Sequence, residues 1–325
     1  MTIDPTASSI IRTRDLRKRF KGRGGTVEAV KGVDLDVRAG EIFGFLGPNG
    51  AGKTTTLRML ATLIPPTSGE ANVAGVDLLR DPAKVRQQIG YVAQGGGSDP
   101  LMTGRGELVI QGRLFGMSRK QAEARATEVL AALDLTEAAG RTTGTYSGGM
   151  RRRLDIGMGM VHQPKLLFLD EPTTGLDPQA RANLWDEVRK LRDGGTTIFL
   201  TTHYLEEADI LCDRVAIIDH GTIVAEGTPA ELKKAIAGDV ITLGIAEHER
   251  VLTLVRAEPY VREANDQDED GLVRLYVDEG DRALPQLLRL LDDAGLPPQT
   301  IALSRPSLDD VFLRKTGRSL RETAA

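Results

Sequence analysis

An apolar run from Glu41 to Leu46 enters a glycine-rich octapeptide: Gly47, Pro48, Asn49, Gly50, Ala51, Gly52, Lys53 and Thr54. Helical spacing follows from Lys53 onward, with Leu57, Leu60 and Leu63 available for one buried stripe. No other segment narrows the fold as much. The octapeptide fits the G-x-x-x-x-G-K-[ST] pattern, whose glycines let successive backbone N–H groups converge on a β-phosphate while the next helix presents its positive end. In that frame Lys53 reaches the β- and γ-phosphates and the Thr54 hydroxyl is a Mg²⁺ ligand. Thr55 can add a hydrogen bond to the α-phosphate. A plain glycine turn with a surface lysine would lack the flanking strand and helix. The order strand, loop, helix therefore predicts an α/β fold of the phosphate-loop type.

Two further strand ends carry chemistry that fits a nucleoside triphosphate. Leu166 to Leu169 is apolar and stops at Asp170 and Glu171. Beside a phosphate loop, Asp170 is the expected Mg²⁺-side carboxylate, and Glu171 can orient an attacking water as a general base. Thr196 to Thr202 is another strand, ending at His203, whose ring could stabilise charge developing on the γ-phosphate. On its own a strand-end histidine is as well read as a core or cap residue. Gln94 follows the strand Ile89 to Ala93; its amide could ligate Mg²⁺, hold a water, or have no special role.

Charge and length bound the rest. Lys and Arg number 42 against 46 Asp and Glu, a net of -4, which argues against a dedicated nucleic-acid binder. With 4 His and one cysteine, neither a disulfide nor a Cys-rich zinc cluster is expected. Cys212 reads as a small buried hydrophobe. MTIDPTASSI has neither a basic n-region nor an apolar core, so no secretory leader is expected. No apolar stretch approaches the roughly 20 residues needed to span a bilayer. A length of 325 residues suggests two domains.

Composition changes near residue 238. Before it, basic strands at Ile11 to Phe20 and Val27 to Val37 are joined by a turn at Gly24-Gly25. Residues 118–133 read as an amphipathic helix buried through Ala122, Ala126, Val129, Leu130 and Leu133. A helix follows Ser147, Gly148 and Gly149, another opens at Pro178, and Asp219-His-Gly221 turns a strand into a hairpin. After residue 238 the pattern is βαββαβ, with strands at 240–245, 260–264, 272–277 and 299–303 and helices near 247–256 and 281–294. That is a small α+β, ferredoxin-like sandwich. The acidic run after Asn265 reads as a solvated turn, and Leu308, Val311 and Phe312 as a helix-packing face.

Taken together, these motifs resemble those of the nucleotide-binding subunits of ATP-binding-cassette (ABC) transporters over about residues 10–230. Tyr146-Ser-Gly-Gly-Met150 is similar to the family signature, and Thr174-Gly-Leu-Asp177 to its D-loop. The phosphate loop, Gln94, the signature, Asp170-Glu171, Asp177 and His203 occur in the family's order. The resemblance implies an ABC-type nucleotide-binding domain at 10–237 with a helical subdomain at about 97–163, followed by an accessory domain at 238–325. It also implies a head-to-tail dimer of two copies, in which Ser147, Gly148 and Gly149 clasp the γ-phosphate held by the partner chain's Lys53. Asp177 would line that interface, although a helix cap remains a valid local reading of the signature. Phe20 falls where the family stacks an aromatic on adenine, and a strand-end phenylalanine is equally ordinary core.

Pro306-Ser-Leu-Asp-Asp-Val-Phe-Leu313 with Thr316-Gly-Arg318 resembles the close of daunorubicin-resistance ATPase subunits, and Thr103-Gly-Arg-Gly-Glu-Leu108 partly resembles a stretch of the same branch. The implied function is an ATP- and Mg²⁺-dependent ATPase, peripheral on the cytoplasmic face of the membrane. It would energise a separate permease that exports a drug, an antibiotic or another hydrophobic compound. Met150 in place of glutamine and the glycines after Gln94 depart from the commonest family pattern. Two alternatives stand beside this reading: a soluble ABC-superfamily ATPase acting on ribosomes or DNA, and a regulatory subunit without transport. Translation-type members carry two cassettes in one chain, and here there is one.

Overall fold

The structure, a computed structural model, describes residues 9–22, 25–236, 238–265 and 272–316. Gly24, the acidic run from residue 266, the end of the chain from residue 317 and the first eight residues lie outside the described residues. The chain divides into two compact units, residues 1–223 and 224–325.

In the first unit, β1 (Ser9–Gly22) and β2 (Gly25–Arg38) pair antiparallel, and β3 (Ile42–Leu46) leads through the glycine loop into α1 (Lys53–Leu60). β4 (Ser68–Val73) and β5 (Val76–Asp77) complete a sheet of order β2-β1-β4-β5. After α2 (Pro82–Gln88) and β6 (Ile89–Val92) come the helices α3 (Gly104–Leu114), α4 (Arg119–Ala132) and α5 (Gly148–Met160). β7 (Leu166–Asp170), α6 (Pro178–Asp193), β8 (Thr197–Thr202), α7 (Leu205–Leu211) and β9 (Arg214–Asp219) follow, and β10 (Thr222–Gly227) spans the division between the two units. The second sheet has the order β10-β9-β3-β8-β7-β6, and the pairs β9-β3, β3-β8, β8-β7 and β7-β6 are parallel. β3 and β7 are buried along their whole length, as central strands of a parallel sheet covered on both faces must be.

The amphipathic segment at 118–133 forms α4, opened by a capping box in which Ser118 and Gln121 satisfy each other's backbone N–H groups. Its Ala126, Val129 and Leu130 pack with Leu108 of α3 and Leu154 of α5 in a separate helical core. The expected stripe on α1 needs one correction. Leu57 and Leu60 are fully buried, but Leu63 is 52% exposed because the helix ends at Leu60 and Thr62 turns the backbone to φ 61°.

In the second unit, α8 (Pro229–Lys234) precedes β11 (Asp239–Gly244), α9 (His248–Val255), β12 (Val261–Asn265), β13 (Leu272–Val277), α10 (Gly280–Asp293) and β14 (Thr300–Ser304). The sheet order β12-β13-β11-β14, antiparallel throughout, is the ferredoxin-like arrangement the βαββαβ pattern predicts. Residues of β11 and β13 form one core with Val251 and Val255 of α9 and Leu287 and Leu291 of α10. α11 (Leu308–Thr316) buries Leu308, Val311 and Phe312, and its Asp310 meets Arg274 of β13 at 3.3 Å. Among the described residues no helix is long and apolar enough to cross a membrane.

Candidate nucleotide site

Parallel strands in register bring the motif residues to one edge. β3, β7 and β8 end side by side, with Leu46 opposite Thr202 and Asp170 opposite Thr201. Ligand sites of parallel sheets form outside these carboxyl ends. Gly52 caps α1 at φ 107°, and a Cβ there would lie 2.6 Å from the Ala29 carbonyl, so only glycine fits.

A cleft of about 330 Å³ opens at this edge, lined by Pro48, Asn49, Gly50, Gly52, Lys53, Thr54 and Thr55 with Ala29, Gln94 and Glu171. The Lys53 ammonium is buried, donates to the carbonyls of Gly47 (2.7 Å) and Pro48 (3.1 Å), and lies 3.4 Å from Glu171 Oε1. Burial pushes its pKa down, and the Glu171 carboxylate offsets part of that.

Glu171 is the centre of the arrangement. Its Oε2 accepts from Gln94 Nε2 (2.9 Å) and Thr174 Oγ1 (3.3 Å) and lies 3.3 Å from His203 Nδ1. Burial alone would raise its pKa, but the adjacent His203 ring and the charge of Lys53 outweigh it, so the carboxyl is held below its usual value. Its backbone stands at φ 44°, a conformation costly for a residue with a Cβ and concentrated at functional sites. Asp170 Oδ1 accepts from Thr54 Oγ1 (3.0 Å) and Thr201 Oγ1 (2.7 Å). A hydroxyl and a carboxylate side by side are the hard oxygen donors that Mg²⁺ takes, so the residues present fit that ion.

The remaining expected residues lie elsewhere on the first unit. Ser147 caps α5, its Oγ accepting from the Met150 N–H at 3.2 Å, and Ser147 and Gly148 are exposed. Asp177 caps α6 through the Ala180 N–H at 2.8 Å and is exposed too. None of Ser147, Gly148, Gly149 or Asp177 lines the phosphate-loop cleft. Phe20, near the end of β1, is 43% exposed with Lys18 Nζ 5.2 Å from its ring centre, and it does not line the cleft either.

Sequence reading missed three residues that build the site. Thr201 accepts from the Glu171 N–H at 3.1 Å while donating to Asp170, a role visible only once the β7–β8 register is known. Arg152 and Asp155 of α5 are buried behind the strand ends, in a stretch that reads only as a basic helical run.

Residues 30–174 match the family model described as ABC transporter, and residues 227–316 match the one described as ATP-binding protein DrrA1-3-like, C-terminal domain. The chain is 45% identical to the daunorubicin resistance ATP-binding protein DrrA2 of Streptomyces coeruleorubidus, over 97% of each chain. It is 46% identical to the daunorubicin/doxorubicin resistance ATP-binding protein DrrA of Streptomyces peucetius, over 100% of this chain and 98% of the other. Among solved structures, it resembles the ATP-binding cassette MJ0796, described as a dimeric post-hydrolysis state bound to ADP and Pi. The TM-score is 0.62 at 25% identity, over 67% of this chain and 98% of that one.

Proposed function

The chain belongs to the ATP-binding subunits of ABC transporters, in the daunorubicin-resistance branch, and from that premise we propose that its ATP hydrolysis drives a separate membrane permease exporting a drug, an antibiotic or another hydrophobic compound. The observation that carries the reading is the Glu171 carboxylate at the mouth of the phosphate loop, held between Lys53, Gln94 and His203. The loop amides and Lys53 bind the β- and γ-phosphates. Thr54 and Asp170 hold Mg²⁺, which neutralises charge on the phosphates when bound. Glu171, ionised at neutral pH, orients the attacking water, and His203 stabilises charge on the γ-phosphate. Thr55 bonds the α-phosphate and Phe20 offers its exposed ring to adenine.

The exposed signature at the start of α5 supports a head-to-tail dimer. Ser147, Gly148 and Gly149 of one copy would close on the phosphates held by the other, with Asp177 at the same face. The dimeric state described for the similar cassette agrees with this. In this reading residues 10–237 are the motor, with the helical subdomain at about 97–163. Residues 238–325 are an accessory domain, and the subunit is peripheral on the cytoplasmic face.

Lys53→Ala should remove ATP turnover and weaken nucleotide binding. Glu171→Gln should keep binding, lose turnover, and accumulate an ATP-bound dimer on sizing in the presence of the permease. Wild-type hydrolysis by either variant would reject the site, and an ATP-insensitive monomer would reject the sandwich.

A further inference from the structure

One face of α5 holds both the catalytic strand end and the segment around Gln94. The Arg152 guanidinium, 6% exposed, donates to three backbone carbonyls: Ala93 (2.7 Å), Pro172 (2.8 Å) and Asp170 (3.2 Å). Ala93 immediately precedes Gln94, and Asp170 and Pro172 flank Glu171. Three residues on, hence on the same helical face, Asp155 is 7% exposed and its Oδ1 accepts from the N–H groups of Gly97 (3.0 Å) and Ser98 (3.1 Å). A Cβ on Gly96 would sit 2.5 Å from Asp155 Oδ2, and Gly96 stands at φ 76°, so the glycine is what lets the loop close onto this carboxylate.

The segment between these anchors is Gln94-Gly-Gly-Gly97, which has little conformational preference of its own. Yet Gln94 Nε2 is held 2.9 Å from Glu171 Oε2. Arg152 fixes the residue before Gln94 and the backbone on both sides of Glu171. Asp155 fixes the end of the glycine run. Both are buried groups satisfied by backbone partners, and loss of a buried partner leaves those polar groups uncompensated. The helix that carries them begins at Gly148 and is capped by Ser147.

We infer that Arg152 and Asp155 are positioning residues for ATP hydrolysis, setting the Gln94–Glu171 contact from the helix that bears the signature. The inference rests on the reading of Glu171 as the hydrolytic base. Neither residue touches the nucleotide cleft, so both act on turnover and leave nucleotide binding intact.

The test uses the full chain, measuring steady-state ATPase kinetics and equilibrium binding of ATP for each variant. Asp155→Ala should lower kcat roughly 10- to 100-fold, the scale of a misplacement on the order of 1 Å. The dissociation constant for ATP should stay within about 3-fold of wild type, the split that separates positioning from binding. Asp155→Asn, which keeps an acceptor oxygen in the same place, should recover most of the lost rate. Arg152→Lys keeps the charge but not the fork and should reproduce the kcat-only loss, which provides the test if Asp155→Ala does not fold. Unchanged kcat in Asp155→Ala or Arg152→Lys, equal loss of ATP affinity, or an Asn variant as slow as the Ala variant overturns the inference. Glu171→Gln run alongside separates the two readings: if it turns over ATP at the wild-type rate, the site assignment has failed. If it is inactive while the α5 variants are unaffected, only the clasp has failed.

Discussion

His162 illustrates how one side chain in this fold links burial to pH. Its ring stacks on Phe115 with centroids 3.6 Å apart and planes 2° apart, and Nε2 lies 2.9 Å from the Ile89 carbonyl oxygen. Nδ1 is buried with no hydrogen-bond partner among the described residues. Burial pushes the imidazole pKa below its usual value, only partly opposed by the Ile89 carbonyl. The unfolded chain therefore binds the proton more readily, and stability falls as pH drops from about 6.5 toward the lower folded value. The expected result is that acidification from about pH 7.5 to about pH 5.5 lowers the melting temperature more for wild type than for His162→Gln, which has no titrating ring. Equal pH dependence in the two proteins would remove His162 as a source. The same scale explains what could be read without coordinates. Lys53, Glu171 and His203 sit at fixed offsets from strand ends, so their meeting at one sheet edge could be expected from order along the chain. Arg151, Arg152 and Arg153 are indistinguishable as a run, and only the phase of α5 leaves Arg151 exposed and buries Arg152.

At the scale of elements, α5 carries two demands at its first turn. Its amide groups need a cap, supplied by Ser147, and in the proposed dimer the same residue faces a phosphate. The two roles separate by substitution. Aspartate caps a helix about as well as serine, whereas alanine costs about 1 kcal/mol. Ser147→Asp should therefore keep the wild-type melting temperature while abolishing ATP-dependent dimer formation, because its carboxylate repels the γ-phosphate. Ser147→Ala should lose some stability and dimerise weakly. Dimer formation by Ser147→Asp at the wild-type ATP concentration would leave only the cap. Elements with strong periodicity, such as α4 and the βαββαβ strands, were legible because their apolar spacing and turns agree. α3 was not, since Gly104 and Gly106 lower its helical propensity. It is held by the Thr103 cap and by Leu108 packing against α4 and α5. The end of α1 does not follow the apolar spacing: that spacing continues to Leu63, but the backbone turns at Thr62.

On the scale of the whole molecule, a protein of net charge -4 is expected to grip a polyanion, which it can do only locally. In the proposed reading the glycine loop, Lys53 and the α1 terminus supply that grip. The second unit has its own core around Ile241, Leu275 and Leu287. Leu287 is fully buried, so Leu287→Ala should cost about 2–5 kcal/mol in the stability of the second unit. In the proposed reading ATP with Mg²⁺ binds the folded first unit, and it should then raise that unit's unfolding temperature by mass action. Calorimetry of wild type and Leu287→Ala, each with and without ATP and Mg²⁺, separates these effects. If the two cores are independent, the transition lowered by Leu287→Ala is not the one raised by nucleotide, and ATP affinity is unchanged in the variant. A single transition that responds to both would mean that the units unfold cooperatively.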